Sequence, residues 1–129
     1  MPDSTIPADW LAQARVDLQS ARVLRAASPP LLKPAVYSAA QAAEKSLKAL
    51  LIKHGVSYLS FRHDIPALLT KAAAIEISLS VFKPRLANFD YYSLRSRYPS
   101  FPPFTVTEAE VDDAILAAED LILAIAPQV

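Results

Sequence analysis

An all-α fold of about five helices is what this sequence predicts, and three observations predict it. Alanine and leucine dominate the 129 residues, and both favour helix. Apolar residues recur three and four apart through long segments, which is the period of one helix face. Eleven prolines and a single glycine punctuate the chain so that proline clusters fall between those segments, where the helical hydrogen-bond ladder has to stop.

The first helix is expected over about 7–27, with Leu11, Ala14, Leu18 and Ala21 on one face and Ser28, Pro29 and Pro30 ending it. The second is expected over about 33–54, with Pro34 in the first turn, where a missing N–H costs nothing. Val36, Ala40, Ala43, Leu47, Leu50 and Leu51 form its buried stripe, and Ala39, Ala40, Ala42 and Ala43 let a neighbouring helix come close. Gly55 is placed to end it in a left-handed conformation. Asp64 reads as the N-cap of a short third helix over about 65–74, with Pro66 in its first turn.

Between about 76 and 80 the helical pattern weakens into β-branched residues and serines. A strand over about 75–81 is one alternative, although it would lack a partner strand. The other is a fourth helix over about 80–95 that takes Pro84 into its first turn. Residues 98–106 contain Pro99, Pro102 and Pro103 and read as a rigid extended loop. Thr107-Glu108-Ala109-Glu110 is a capping-box pattern. It opens a fifth helix to about Ala126, with Val111, Ile115, Ala118, Ile122 and Ile125 as its seam and Asp112, Asp113 and Asp120 toward water. No repeat or internal linker is visible, so residues 1–129 read as one domain.

Composition removes several classes of function. The chain has no cysteine, which excludes disulfides, thiol nucleophiles, iron–sulfur clusters and Cys-bearing zinc sites. With one glycine there is no glycine-rich phosphate loop. No cofactor and no metal site are expected. The 13 basic and 13 acidic residues cancel, which argues against bulk electrostatic capture of nucleic acid but leaves room for a small basic cleft. The segment from Met1 to Trp10 carries acids and prolines rather than a basic run followed by an apolar one. The longest apolar tract, around Ala114 to Ala126, is broken by Glu119 and Asp120. No membrane association and a cytoplasmic location are therefore expected.

Three stretches stand out in order. The second helix carries Tyr37-Ser38-Ala39-Ala40-Gln41-Ala42-Ala43-Glu44-Lys45-Ser46-Leu47-Lys48-Ala49-Leu50-Leu51. The third opens with His63-Asp64-Ile65-Pro66-Ala67-Leu68-Leu69. Further on come Phe89-Asp90-Tyr91-Tyr92 and then Arg97-Tyr98-Pro99. Together with an acidic, alanine-rich last helix, this order resembles the HEPN family (higher eukaryotes and prokaryotes nucleotide-binding domain) from about Trp10 to Ala126. The resemblance implies an antiparallel up-and-down bundle, usually a homodimer. It also implies association with a minimal nucleotidyltransferase, often as toxin and antitoxin. In some relatives it implies metal-independent RNA cleavage.

Such cleavage needs a base for the 2′-hydroxyl and a cation for the charge on phosphorus. In HEPN ribonucleases an Arg followed four to six residues later by a His supplies both. Here Arg95 and Arg97 lie in the right region, but no His follows them; the two histidines, His54 and His63, come earlier. The resemblance therefore carries fold and assembly, not the usual cleavage site.

Arg97, Tyr98, Gln41, Lys45 and His63 are the candidate ligand-binding residues. A guanidinium pairs with phosphate and a tyrosine ring can stack on a base. The bland alternative is that Arg97 pairs with an acid while Tyr98 plugs the end of the bundle. Gln41 and Lys45 either line the same cleft or belong to a solvated face. Glu44 and Lys48, four apart, suit a surface ion pair. His63 and Asp64 look like a metal or catalytic pair, but adjacent residues do not converge on one ion. Capping by Asp64 is the expected role, with His63 able to serve as a displaced base if folding brings it to Arg97. Val16 with Val23, and Leu116 with Leu123, place apolar pairs on polar faces and hint at a partner surface.

Three functions compete on these residues. One is a dimeric HEPN partner of a minimal nucleotidyltransferase, or a nucleotide-binding module, without the Arg–His site. The second is a metal-independent endoribonuclease toxin with a displaced base acting on RNA. The third is an oligomerisation scaffold without a ligand.

Overall fold

The computed structural model describes residues 2–129, and for Phe61 the backbone alone. Met1, included in the expected domain, lies outside the described residues. Five α-helices follow in order: α1 (Pro7–Ala26), α2 (Leu32–Lys53), α3 (Ile65–Ile75), α4 (Phe89–Arg95) and α5 (Glu108–Ile125). Short 3₁₀ turns occur at Leu59–Phe61, Ile77–Phe82 and Ala126–Gln128. Among the described residues there is no strand, and no helix is long and apolar enough to cross a membrane.

Helix α2 is the axis of the bundle. Helices α1, α3, α4 and α5 all pack against it. Ala35, Ala39, Ala40, Ala42, Ala43 and Ala49 are fully buried along it. Small side chains on several sides of one helix allow neighbours to approach from each of those directions, toward the lower end of the usual 8–10 Å spacing. Larger residues then fill the gaps: Val36, Leu47, Leu50 and Leu51 from α2, Leu68 from α3, Phe89 from α4, and Val111, Leu121 and Ile125 from α5.

Specific contacts give the helix directions. The backbone of Leu31 bonds to Leu24 at the α1–α2 hairpin, and Lys45 meets Asp17 further down, so α1 and α2 are antiparallel. Arg25 pairs with Glu108 and Asp112 while Arg22 pairs with Glu119, which sets α5 antiparallel to α1. Gln41 meets Ser93 while Tyr37 meets Arg97, so the chain through α4 runs against α2.

Local chemistry sets the helix ends. Gly55, at φ +69°, lets the chain turn back at the end of α2. The Val56 N–H then bonds to the Leu51 carbonyl at 2.9 Å and the Gly55 N–H to that of Ile52 at 3.1 Å, satisfying two terminal acceptors. Asp64 caps α3 by accepting from the Ala67 N–H at 3.1 Å. At α5 the box closes in both directions: Thr107 accepts from the Glu110 N–H and Glu110 accepts from the Thr107 N–H, each at 3.1 Å.

The expected fourth helix over 80–95 does not form as one piece. A 3₁₀ turn over Ile77–Phe82 and a run of turns precede α4, which begins at Phe89. Pro84 explains the break. It would be the fifth residue of that helix, where it has no N–H for the Ser80 carbonyl and its ring crowds that group. The Ser80 carbonyl accepts from Lys83 instead, at 3.1 Å. The serines that blurred the pattern have a local role as well: Glu76 accepts from both the N–H and the hydroxyl of Ser78.

Truncating Leu47→Ala, at the fully buried centre of α2, is expected to lower unfolding free energy by about 2–5 kcal/mol. Leu116→Ala, on the exposed face of α5, should stay within about 0.5 kcal/mol of the parent. Urea unfolding of the two variants side by side checks the assignment of core and surface.

Candidate functional site

Tyr37, Gln41, Glu44 and Lys48 stand four, three and four residues apart on α2. That spacing aligns them along one side of the helix. The result is a polar stripe on the most buried helix of the molecule, and each end of it gathers residues from other elements.

At the first end, Arg97 lies just past the end of α4. Its guanidinium carbon sits 5.2 Å from the centre of the Tyr37 ring and 5.4 Å from that of Tyr98. The Arg97 Nε–H donates to the Ser93 carbonyl at 3.3 Å. The Ser93 hydroxyl in turn accepts from the Gln41 amide at 3.4 Å. Among the described residues Arg97 makes no ion pair, and both it and Tyr98 are exposed. Tyr98 does not plug the bundle end, since it is 65% exposed; Phe104, further along the same loop, is buried against Tyr91 and Tyr92. Arg97 is thus held in place by two rings and a carbonyl without being neutralised.

At the second end, Glu44 and Lys48 form an ion pair at 3.1 Å with side chains only 3% and 5% exposed. A Glu and a Lys at this spacing suit a surface ion pair, but here both are buried. Trp10 from α1 and Tyr58 from the loop after α2 cover Lys48, with its ammonium 5.5 Å and 5.0 Å from the two ring centres. The rings pack edge to face at 5.7 Å. A cation held against aromatic faces keeps part of the stabilisation it loses on leaving water.

His63 completes this end. Its Nδ1 lies 3.3 Å and 3.4 Å from the two Glu44 oxygens. The carboxylate accepts, so Nδ1 carries the proton and Nε2 is the ring nitrogen left over. The His63 side chain is otherwise largely exposed. Asp64 turns away to cap α3, and the two neighbours do not converge. Among the described residues no group of three or more His, Asp or Glu residues is arranged to hold a metal.

The five residues singled out in the sequence therefore separate. Arg97, Tyr98 and Gln41 come together. Lys45 does not join them, although it is only four residues from Gln41: Asp17 draws its ammonium toward α1, at 2.7 Å. His63 belongs to the other end of the stripe. The α2 residues that Arg97 and His63 contact, Tyr37 and Glu44, are seven apart, about 10 Å along a helix axis, so the two side chains rest against different turns of α2. Trp10, Tyr58, Glu44 and Lys48 were missed as site residues. The one available signal was the 4-3-4 spacing of the stripe.

Asp90 of α4 stands within electrostatic range of Glu44 and Asp64. Burial first, and then those two charges, raise its carboxyl above the ordinary value. A raised acid penalises the folded state wherever it is ionised. The penalty is full at neutral pH and fades as pH falls through the folded value toward the unfolded one, near 4. Asp90→Asn is expected to stabilise the protein at pH 7, with the gain disappearing below about pH 4. Unfolding midpoints across that range provide the check.

Comparison with known proteins accords with this architecture. The HEPN domain model matches residues 7–127. The crystal structure of ST0689, an archaeal HEPN homologue, superposes with a TM-score of 0.74 at 27% identity, covering 95% of this chain and 97% of that one. No curated protein matches. A central alanine-rich helix, its polar stripe and a family match over nearly the whole length together place this chain in the HEPN domain family.

Proposed function

We propose that this protein is a cytoplasmic nucleotide-binding HEPN module that works as a dimeric partner of a minimal nucleotidyltransferase, in a toxin–antitoxin-like setting, and does not cleave RNA through an Arg–His pair. The observation that carries the reading is the Arg97 guanidinium, exposed and without an ion pair among the described residues. It is a preorganised cation: the Ser93 carbonyl fixes its Nε, leaving the fork of terminal nitrogens for a phosphate. Tyr98 beside it is an exposed ring on which a base can stack. The exposed apolar pairs Val16 with Val23 and Leu116 with Leu123 support an assembly role.

A second reading rests on His63, whose ring Glu44 orients as a general base would be oriented. In that case the protein is a metal-independent endoribonuclease with a displaced base. A ligand-free scaffold is the third outcome.

Calorimetric titration with AMP and ATP separates these functions. Saturable binding is expected, weakened at least tenfold by Arg97→Ala and about fivefold or more by Tyr98→Ala, in line with about 1–3 kcal/mol for a stacked base. Equal affinity in the Arg97 variant would contradict the site, and no binding at all would favour the scaffold. Incubation with RNA in the presence of EDTA should leave the RNA intact. Cleavage that disappears in His63→Ala would replace this reading with the second.

A further inference from the structure

The second end of the α2 stripe opens onto a recess of about 360 Å³ lined by Pro2, Asp3, Lys48, Tyr58, Arg62 and His63. It lies apart from Arg97, and its chemistry is different. We infer that this recess is a separate binding site for a small phosphomonoester, independent of the nucleotide site proposed at Arg97.

Three hydrogen-bond-donating side chains line the recess. The Lys48 ammonium has three N–H groups, of which Glu44 takes one. Arg62 is exposed and makes no ion pair among the described residues, so its five N–H donors are not committed to a carboxylate. His63 lines the recess as well, but its ring N–H at Nδ1 is directed to Glu44, so it is not counted among these donors. The Tyr58 phenol is raised above its ordinary value, chiefly by burial, with Asp3 adding and Arg62 opposing; it remains a protonated donor.

The acids do not cancel this array. Glu44 is consumed behind the wall, accepting from Lys48 and His63. Among the described residues Asp3 is the one carboxylate lining the recess, and it is exposed. A fork, a point charge and a phenol come from three parts of the chain: the turn before α3, α2 and the loop after it. Donors from separate directions suit the terminal oxygens of a tetrahedral phosphate better than a planar carboxylate. The volume falls near the lower end of small-molecule pockets, which fits a phosphorylated metabolite rather than a polymer.

Trp10 is a built-in reporter. It is the one tryptophan in the sequence, and its ring touches both Lys48 and Tyr58. Inorganic phosphate and glycerol phosphate, titrated into the intact protein with Trp10 fluorescence and calorimetry read in parallel, are expected to give a saturable response. Acetate should bind at least about fivefold more weakly. Arg62→Ala, at an exposed position, should weaken phosphate at least about fivefold with an unchanged circular dichroism spectrum, because a charge-assisted hydrogen bond is lost. Asp3→Asn should tighten it. Arg97→Ala should leave the Trp10 response to phosphate unchanged, because that ring reports on the recess alone.

Neither heat nor fluorescence change, or equal affinity for acetate, would overturn the inference. So would loss of phosphate binding in Arg97→Ala but not in Arg62→Ala, which would assign the anion to the Arg97 end and leave the proposed nucleotide site standing. Failure of nucleotide to bind at Arg97, with phosphate binding still sensitive to Arg62, would remove that reading and leave this one.

Discussion

A carboxylate and an ammonium one helical turn apart, Glu44 and Lys48, are buried inside the central helix of this bundle. Most of the local structure answers to that. An ionised pair taken out of water is tolerated only when geometry and additional hydrogen bonds recover what hydration supplied. Three elements provide that recovery: Trp10 from α1, Tyr58 from the loop that Gly55 turns back onto the bundle, and His63 from the entry to α3. The pair therefore specifies where each of those segments must lie. The alanines beside it on α2 do the complementary work, letting the neighbouring helices come close enough to shut water out.

The same stripe organises the functional chemistry. Its far end presents Tyr37 and Gln41 to the segment after α4, where Arg97 is steadied but not neutralised. One helix thus aims polar groups at two places on the surface, about 10 Å apart along its axis. One carries the exposed Arg97 guanidinium and Tyr98 ring, and the other the recess lined by Lys48, Tyr58 and Arg62, the two places proposed above for a nucleotide and a phosphate. No histidine follows Arg97 in the sequence, and His63 rests against Glu44, seven residues along α2 from the Tyr37 that Arg97 contacts.

Much of this was legible in the residues themselves. The apolar period of α1, α2 and α5, the Asp64 cap, the Thr107–Glu110 box and the glycine at 55 each act within a turn or two of the chain, and each appears in the structure where expected. The expected fourth helix failed because Pro84 falls one residue too far along for a first turn. The burial of Glu44 and Lys48 was not legible for a different reason. A Glu and a Lys four apart read the same on a solvated face as under two aromatic rings, and the rings come from positions 10 and 58. Likewise, the Asp17 carboxylate on another helix decides that Lys45 turns away from Gln41.

The direct test of the organising role given to the buried pair is a double-mutant cycle in urea on Glu44→Gln, Lys48→Met and the combined variant. Each single change is expected to cost about 3–5 kcal/mol, because it leaves the other charge buried without its partner. The combined variant should cost less than their sum by more than about 1 kcal/mol. Single costs below about 1 kcal/mol, or additivity within about 0.5 kcal/mol, would show that the pair does not hold this end of the bundle together.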